Sequence, residues 1–150
     1  MKNIFVIVLL TTLTLLGYES GGAVPLEGKI IKSSGGVNSL GGILWYSSYM
    51  NLTPPRHFMK GEQLRITLRG GATWVCVRLL PEGADATHPI GIINQRIHVP
   101  QNRVITIQLA NTHPNIQQVS VHSGLQAFGR GISLFNENAD IVSIDVSTKK

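Results

Sequence analysis

The sequence predicts an all-β protein, an antiparallel β-sandwich of the jelly-roll kind, preceded by an N-terminal signal peptide. Three observations predict this fold. Apolar and polar residues alternate with a period of two in several short stretches, and turn-forming Gly, Pro and Asn residues separate those stretches. No stretch after Ala23 carries an apolar stripe with helical spacing. Short strands joined by turns in one chain of this length are typical of a sandwich.

The N-terminus predicts export from the cytosol. Lys2 precedes an apolar run, which ends at Gly17 and is followed by small and polar residues. This run is shorter than the ~20 residues that a permanent transmembrane helix needs. We expect cleavage after Ala23, which makes residues 1–23 a signal peptide and residues 24–150 a single β-sandwich domain. The mature domain would be secreted, periplasmic or held in the cell envelope, without a transmembrane segment.

The residues around Gly17 also resemble a lipoprotein signal, in which a cysteine follows the small residue. Tyr18 stands at that position, and tyrosine has no thiol that could accept a lipid. Soluble export is therefore the first interpretation, and a lipoprotein ancestor or a substitution at Tyr18 is the alternative.

The composition favours some partner classes over others. The chain has 13 Lys and Arg residues against 8 Asp and Glu residues, a formal net charge of +5. These charges are scattered, whereas nucleic-acid binding requires a clustered basic stripe with aromatic residues between the charges. We therefore expect a glycan or cell-envelope component as partner, a protein as the alternative, and no nucleic acid. Cys76 is the only cysteine, so an intrachain disulfide is impossible, and its apolar neighbours predict a buried thiol.

The strands are predicted one after another along the chain. Residues 41–49 form a strand that ends at the turn-forming Thr53-Pro54-Pro55, and residues 63–69 alternate with the apolar side chains on one face. Gly70-Gly71 predicts a tight hairpin that joins this strand to the next one, residues 73–80. The later strands are 90–99, 104–109, 117–123, 132–135 and 141–147, the last with Val142, Ile144 and Val146 pointing one way.

Two parts of the chain resemble secreted jelly-roll accessory modules. Residues 58–68 (FMKGEQLRITL), followed by Gly70-Gly71 and by residues 77–83 (VRLLPEG), are similar to galactose-binding-like and pre-peptidase C-terminal domains. Residues 139–146 (ADIVSIDV) resemble the last strand of jelly-roll carbohydrate-binding modules. The resemblance implies a jelly-roll fold and a role in binding glycans or in assisting an enzyme.

Aromatic side chains are the candidate ligand-binding residues. A sugar binds to a flat aromatic ring through the apolar side of its pyranose, while amide, carboxylate and guanidinium groups bind its hydroxyls. Trp45 and Tyr49 are four residues apart and so share a face of an extended strand, with Tyr46 on the opposite face. The same periodicity puts Trp74 on one face with Cys76 and Arg78. The predicted contact set is Trp74, Trp45, Tyr49, Arg78 and Phe128, the last in a Gly-rich loop.

The sequence predicts a binding protein and no cofactor, with one metal site as an open alternative. Asn136, Asn138 and Asp140 offer oxygen donors on alternate residues, which would suit a structural calcium ion. The five histidines lack the short spacings of a zinc site. Carbohydrate binding is thus the first prediction, an envelope or secreted protein-interaction module the second, and a small secreted hydrolase the third.

Overall fold

A computed structural model describes residues 22–37, 43–83, 95–124 and 138–148 of the chain. Within these ranges it consists of nine strands and no helix. The strands are β1 (Val24–Pro25), β2 (Gly28–Val37), β3 (Ile43–Phe58), β4 (Glu62–Arg69), β5 (Trp74–Pro81), β6 (Gln95–His98), β7 (Val104–Gln108), β8 (His113–Gly124) and β9 (Asp140–Thr148). The prediction of an all-β protein is confirmed. The predicted signal peptide lies outside the described residues except for its last two positions.

The strands form two antiparallel sheets. One sheet has four strands in the order β1-β9-β4-β7, and the other has five strands in the order β2-β3-β8-β5-β6. The chain passes repeatedly from one sheet to the other, so most neighbours within a sheet are distant in sequence. Among the described residues, no helix is long and apolar enough to cross a membrane.

The core lies between the two sheets. The four-stranded sheet contributes Leu64 and Ile66 of β4, and the five-stranded sheet contributes Val75, Val77 and Leu79 of β5. All five of these side chains have no exposed surface. Their period-two spacing explains why they are buried together, because alternate side chains of a strand point to opposite faces of its sheet. The predicted sandwich-like arrangement is therefore confirmed at the level of two sheets with one shared apolar core.

The predicted hairpin at Gly70-Gly71 is wrong, because β4 and β5 belong to different sheets. Gly70 has φ of +116°, and a Cβ atom there would collide with the carbonyl oxygen of Asn138. The Ala72 amide donates a hydrogen bond of 3.0 Å to that same oxygen. The segment after β4 is thus held against Asn138, and it leads the chain across to the other sheet.

The predicted turn at Thr53-Pro54-Pro55 does not end its strand. β3 continues to Phe58, and the Thr53–Pro54 peptide bond is cis. The pairing of β3 with β8 passes from Asn51 directly to Arg56, so the prolines lie in an unpaired bulge. Proline has no N–H group to donate to a ladder, and it is tolerated in such a bulge because the unpaired residues there need no such donor.

The predicted orientation of Val142 is also wrong. Thr67 pairs with Ser143 and Leu68 pairs with Ile141, so Val142 is an extra residue in β9. This bulge turns Val142 outward, where 50% of its surface is exposed, while Ile141 is buried. Ile144 and Val146 lie in the core as predicted.

Candidate functional site

Three residues of the predicted contact set lie on the outer face of the five-stranded sheet. Tyr49 and Arg78 are opposite Ser120 from either side, on strands β3 and β5. Because neighbouring strands are ~4.8 Å apart, Tyr49 and Arg78 lie ~10 Å apart across the sheet. Trp74 lies four residues from Arg78 along β5, a distance of ~13 Å. Val75 and Val77, which alternate with these outward-facing residues along β5, point into the core, as the sequence predicted.

The two other predicted contact residues are Trp45 and Phe128. The backbone of Trp45, on the same strand as Tyr49, pairs with Gly35 in β2 and with Gly124 in β8. Phe128 lies outside the described residues.

Among the side chains that the structure describes on this face, Trp74 is an exposed aromatic residue, with 36% of its surface accessible. The guanidinium carbon of Arg96 lies over its ring, 4.4 Å from the centroid. The ring of His98 meets it edge-on, with the centroids 4.9 Å apart and an angle of 78° between the planes. These contacts fix the orientation of the indole, and they place a cation beside the surface that would meet a ligand.

The centre of the outer face is polar but closely packed. Cys76 is 2% exposed, which confirms the predicted burial of its thiol, and His122 lies directly opposite it on β8. Ser120 Oγ and His122 Nε2 are 2.9 Å apart and share a hydrogen bond. Burial, together with the nearby positive charge of Arg78, lowers the pKa of His122 to about 4. His122 is therefore neutral at pH 7, and one of its ring nitrogens can accept a proton.

Arg78 provides a polar group on this face that the fold leaves unused. Its Nε atom is buried and has no hydrogen-bond partner among the described residues. A buried donor without a partner costs about 1–3 kcal/mol. A ligand oxygen could accept a hydrogen bond from this atom, and recover part of that free energy, only if the Arg78 side chain moved to expose it.

A groove that no local sequence pattern predicted lies at one end of the same sheet. Its volume is about 300 Å³, and we call it the amide groove. Side chains with amide, hydroxyl or apolar groups line it: Asn51, Leu52, Thr53, Leu80, Pro81, Gln117 and Gln118. The Gln118 amide donates a hydrogen bond of 2.9 Å to Asn51 Oδ1, which orients both side chains.

A second polar cluster joins the two sheets around Asp140. Its carboxylate accepts hydrogen bonds from Tyr46 and from Lys32 Nζ, the latter at 2.8 Å, and Arg69 Nη2 lies 3.9 Å away. Burial alone would raise the pKa of Asp140, but the hydrogen bonds from Lys32 and Tyr46 outweigh it and lower that pKa. For Tyr46, burial and the bond to Asp140 raise the pKa to about 12.

The predicted calcium site overlaps this cluster. Asp140 is paired with Lys32, and Asn138 Oδ1 accepts a hydrogen bond from the Gly71 amide. Asn136 lies outside the described residues. The described part of the chain contains no group of three His, Cys, Asp or Glu residues that could hold a metal ion. Both described donors are already bonded to protein groups, and the calcium site stays a prediction.

The acidic residue Glu62 has a structural role at a turn. Its carboxylate accepts a hydrogen bond of 2.8 Å from the Met59 amide, and its other oxygen lies 3.3 Å from Arg56 Nη2. This agrees with the expectation that acids in turns bind backbone N–H groups.

Comparisons with family models and with curated proteins identify no relative of this chain. No family model matches the chain, and no curated protein is significantly similar to it.

Proposed function

We propose that this protein is an exported, non-catalytic binding protein that recognises a glycan on the outer face of its five-stranded sheet. The observation that carries the proposal is the strand register, which brings Tyr49, Arg78 and Trp74 to one face. Tyr49 on the one hand, and Trp74 with Arg78 on the other, belong to two separate strands predicted from the sequence, and the register brings them within ~20 Å of one another.

The chemistry of the face suits a sugar ligand. The exposed part of the Trp74 indole offers an apolar surface, while the half-buried Arg78 brings a guanidinium, which carries N–H donors, to the same face. Each aromatic contact contributes about 1 kcal/mol beyond the area that it buries. With so few anchoring groups, we expect dissociation constants in the micromolar to millimolar range.

The strand order supports a finer proposal, that the fold is a jelly roll. Without β2, the chain has eight strands in two sheets of four, ordered β1-β9-β4-β7 and β3-β8-β5-β6. A jelly roll is built from eight antiparallel strands in two sheets with Greek-key connections. β2 would then be an added strand that extends the second sheet beyond β3.

A glycan array tests the proposal when it is probed with the wild-type protein and with Trp74→Ala and Trp74→Phe. We expect the wild type to bind a subset of glycans, the Ala variant to lose most of that binding, and the Phe variant to retain part of it. Met59→Ala serves as the matched control, because Met59 is 54% exposed and lies away from this face. Absence of any bound glycan, or equal binding by the wild type and Trp74→Ala, would sink the proposal.

A protein-interaction module is the second candidate, and β2 favours it. This ten-residue strand forms one edge of the five-stranded sheet, and another chain could pair with such an edge. However, Lys29 and Lys32 are exposed on β2, and lysines on an edge strand usually discourage pairing with other chains. Glycan binding is therefore the better-supported function.

A further inference from the structure

The amide groove is formed by two irregularities that coincide at one residue. Gln118 pairs with Asn51 of β3 and with Leu80 of β5, whereas Ile116 pairs with Arg56 and Pro81. Gln117, between them, has no partner in either register. β-Bulges often occur beside functional sites, because they redirect side chains and open the sheet. At Gln117 both neighbouring strands shift register, and the groove lies where they separate.

The groove has the chemistry of a site for an uncharged polyhydroxylated ligand. None of its seven lining side chains carries a charge. Side-chain amides both donate and accept hydrogen bonds, as sugar hydroxyls do. The bond between Gln118 and Asn51 uses one N–H group of Gln118 and the carbonyl oxygen of Asn51. The Asn51 amide nitrogen and the Gln118 carbonyl oxygen lie outside this bond, and Leu80 and Pro81 provide apolar surface beside them.

The groove is continuous with the face that holds the proposed aromatic contacts. Asn51 is two residues beyond Tyr49 on β3, and Leu80 is two residues beyond Arg78 on β5, so each pair shares a face of its strand. From Trp74 to Leu80 the face extends ~20 Å along β5. A single sugar would cover a small part of that length, whereas a chain of several sugars would cover it.

We infer that the amide groove binds an uncharged sugar residue of an oligosaccharide that extends along β5 and β8 toward Trp74. This inference rests on the proposed glycan-binding function and names the ligand as a chain rather than a terminal monosaccharide. The guanidinium of Arg96 lies against Trp74 at the other end of the face, so a negatively charged sugar would be accepted at that end.

Nuclear magnetic resonance with neutral oligosaccharides tests the groove separately from the aromatic face. The probes are gluco-, galacto- and manno-oligosaccharide series from disaccharide to hexasaccharide. We expect the Trp74 indole N–H signal to shift with short members, and the Asn51 and Gln118 side-chain amide signals to shift only with longer ones. Indole shifts without amide shifts, at every length, would overturn the groove inference and leave the proposed function intact. Amide shifts alone would support the groove and argue against the Trp74 contact, and no shift in either set would overturn both.

Affinity measurements with variants provide a second test. In the double variant Asn51→Ala/Gln118→Ala we expect the longest bound oligosaccharide to bind about tenfold more weakly. The affinity for the shortest bound oligosaccharide should change little. Gln108→Ala is the control, because Gln108 is an exposed amide on the other sheet. Equal losses of affinity at all oligosaccharide lengths would indicate disturbed folding or a contact common to every ligand. Unchanged affinity at all lengths would show that the groove does not contribute to binding. Either result would overturn the inference.

Discussion

The Arg96 guanidinium stacks on the indole of Trp74, with its central carbon 4.4 Å from the ring centroid. The two residues lie on neighbouring strands, because Trp74 pairs with His98 and Arg96 is two residues before His98. Arg96 therefore shields part of the indole and leaves the rest for a ligand. A sugar that stacks on Trp74 must either use the uncovered surface or displace the guanidinium.

The first prediction concerns this shielding. Arg96→Ala should make Trp74 more accessible, so acrylamide should quench its fluorescence more strongly. The measurement requires a Trp45→Phe background, in which Trp74 is the only tryptophan of the chain. Arg65→Ala, an exposed arginine on the other sheet, serves as the control and should leave quenching unchanged. Equal quenching in the Arg96 variant and its parent would show that the stack does not persist in solution.

The second prediction concerns the Asp140 cluster, which connects β9 of one sheet to β2 and β3 of the other. Asp140→Asn keeps the shape but removes the charge that Lys32 and Tyr46 contact, and Asp140 is only 9% exposed in its side chain. We expect a loss of about 1–3 kcal/mol in the free energy of unfolding, measured by urea denaturation. Lys32→Gln should cost less than about 1 kcal/mol, because Lys32 is 45% exposed and water can replace its partner. A larger loss in Lys32→Gln than in Asp140→Asn would contradict this account.

The third prediction concerns alkaline pH. Burial and the bond to Asp140 raise the pKa of Tyr46 in the folded protein to about 12, from 10.0. The folded state therefore holds the phenolic proton more tightly than the unfolded state, and the stabilising contribution is lost as pH rises from about 10 to about 12. Tyr46→Phe should show a shallower loss of stability across this range than the wild type. Lysines titrate in the same range, so the difference between the two proteins is the relevant quantity.

The sequence was informative where the evidence is local. The alternation of Trp74, Cys76 and Arg78 with Val75, Val77 and Leu79 follows from the period of a strand, and the structure confirms it. The burial of Cys76 followed from its apolar neighbours in the same way. Such predictions need no knowledge of which strands are adjacent.

The sequence was uninformative where distant strands meet. His122 lies opposite Cys76, and Tyr46 bonds to a residue 94 positions away, because the register of non-local strands decides both contacts. The amide groove depends on bulges in two strand pairs at once, which no local pattern encodes. The false hairpin at Gly70 has the same origin, since a Gly-Gly pair permits a reversal within a sheet or a crossing between sheets.

The fourth prediction concerns acid pH and His122. Burial and the charge of Arg78 lower the pKa of His122 to about 4 in the folded protein, against 6.5 for an ordinary histidine. The unfolded state binds this proton more tightly, so stability falls as pH decreases from 6.5 toward 4, by about 2–3 kcal/mol.

Urea denaturation at a series of pH values checks the prediction. In His122→Gln most of the slope should disappear, because glutamine stays neutral and can still bond to Ser120. Part of the slope should persist, since burial lowers the pKa of His113 as well. Because the pKa of Asp140 is lowered below 3.8, its own acid transition lies below this window. An unaltered slope in His122→Gln would mean that His122 is solvated and protonated like an ordinary surface histidine, and that the centre of this face is open to water.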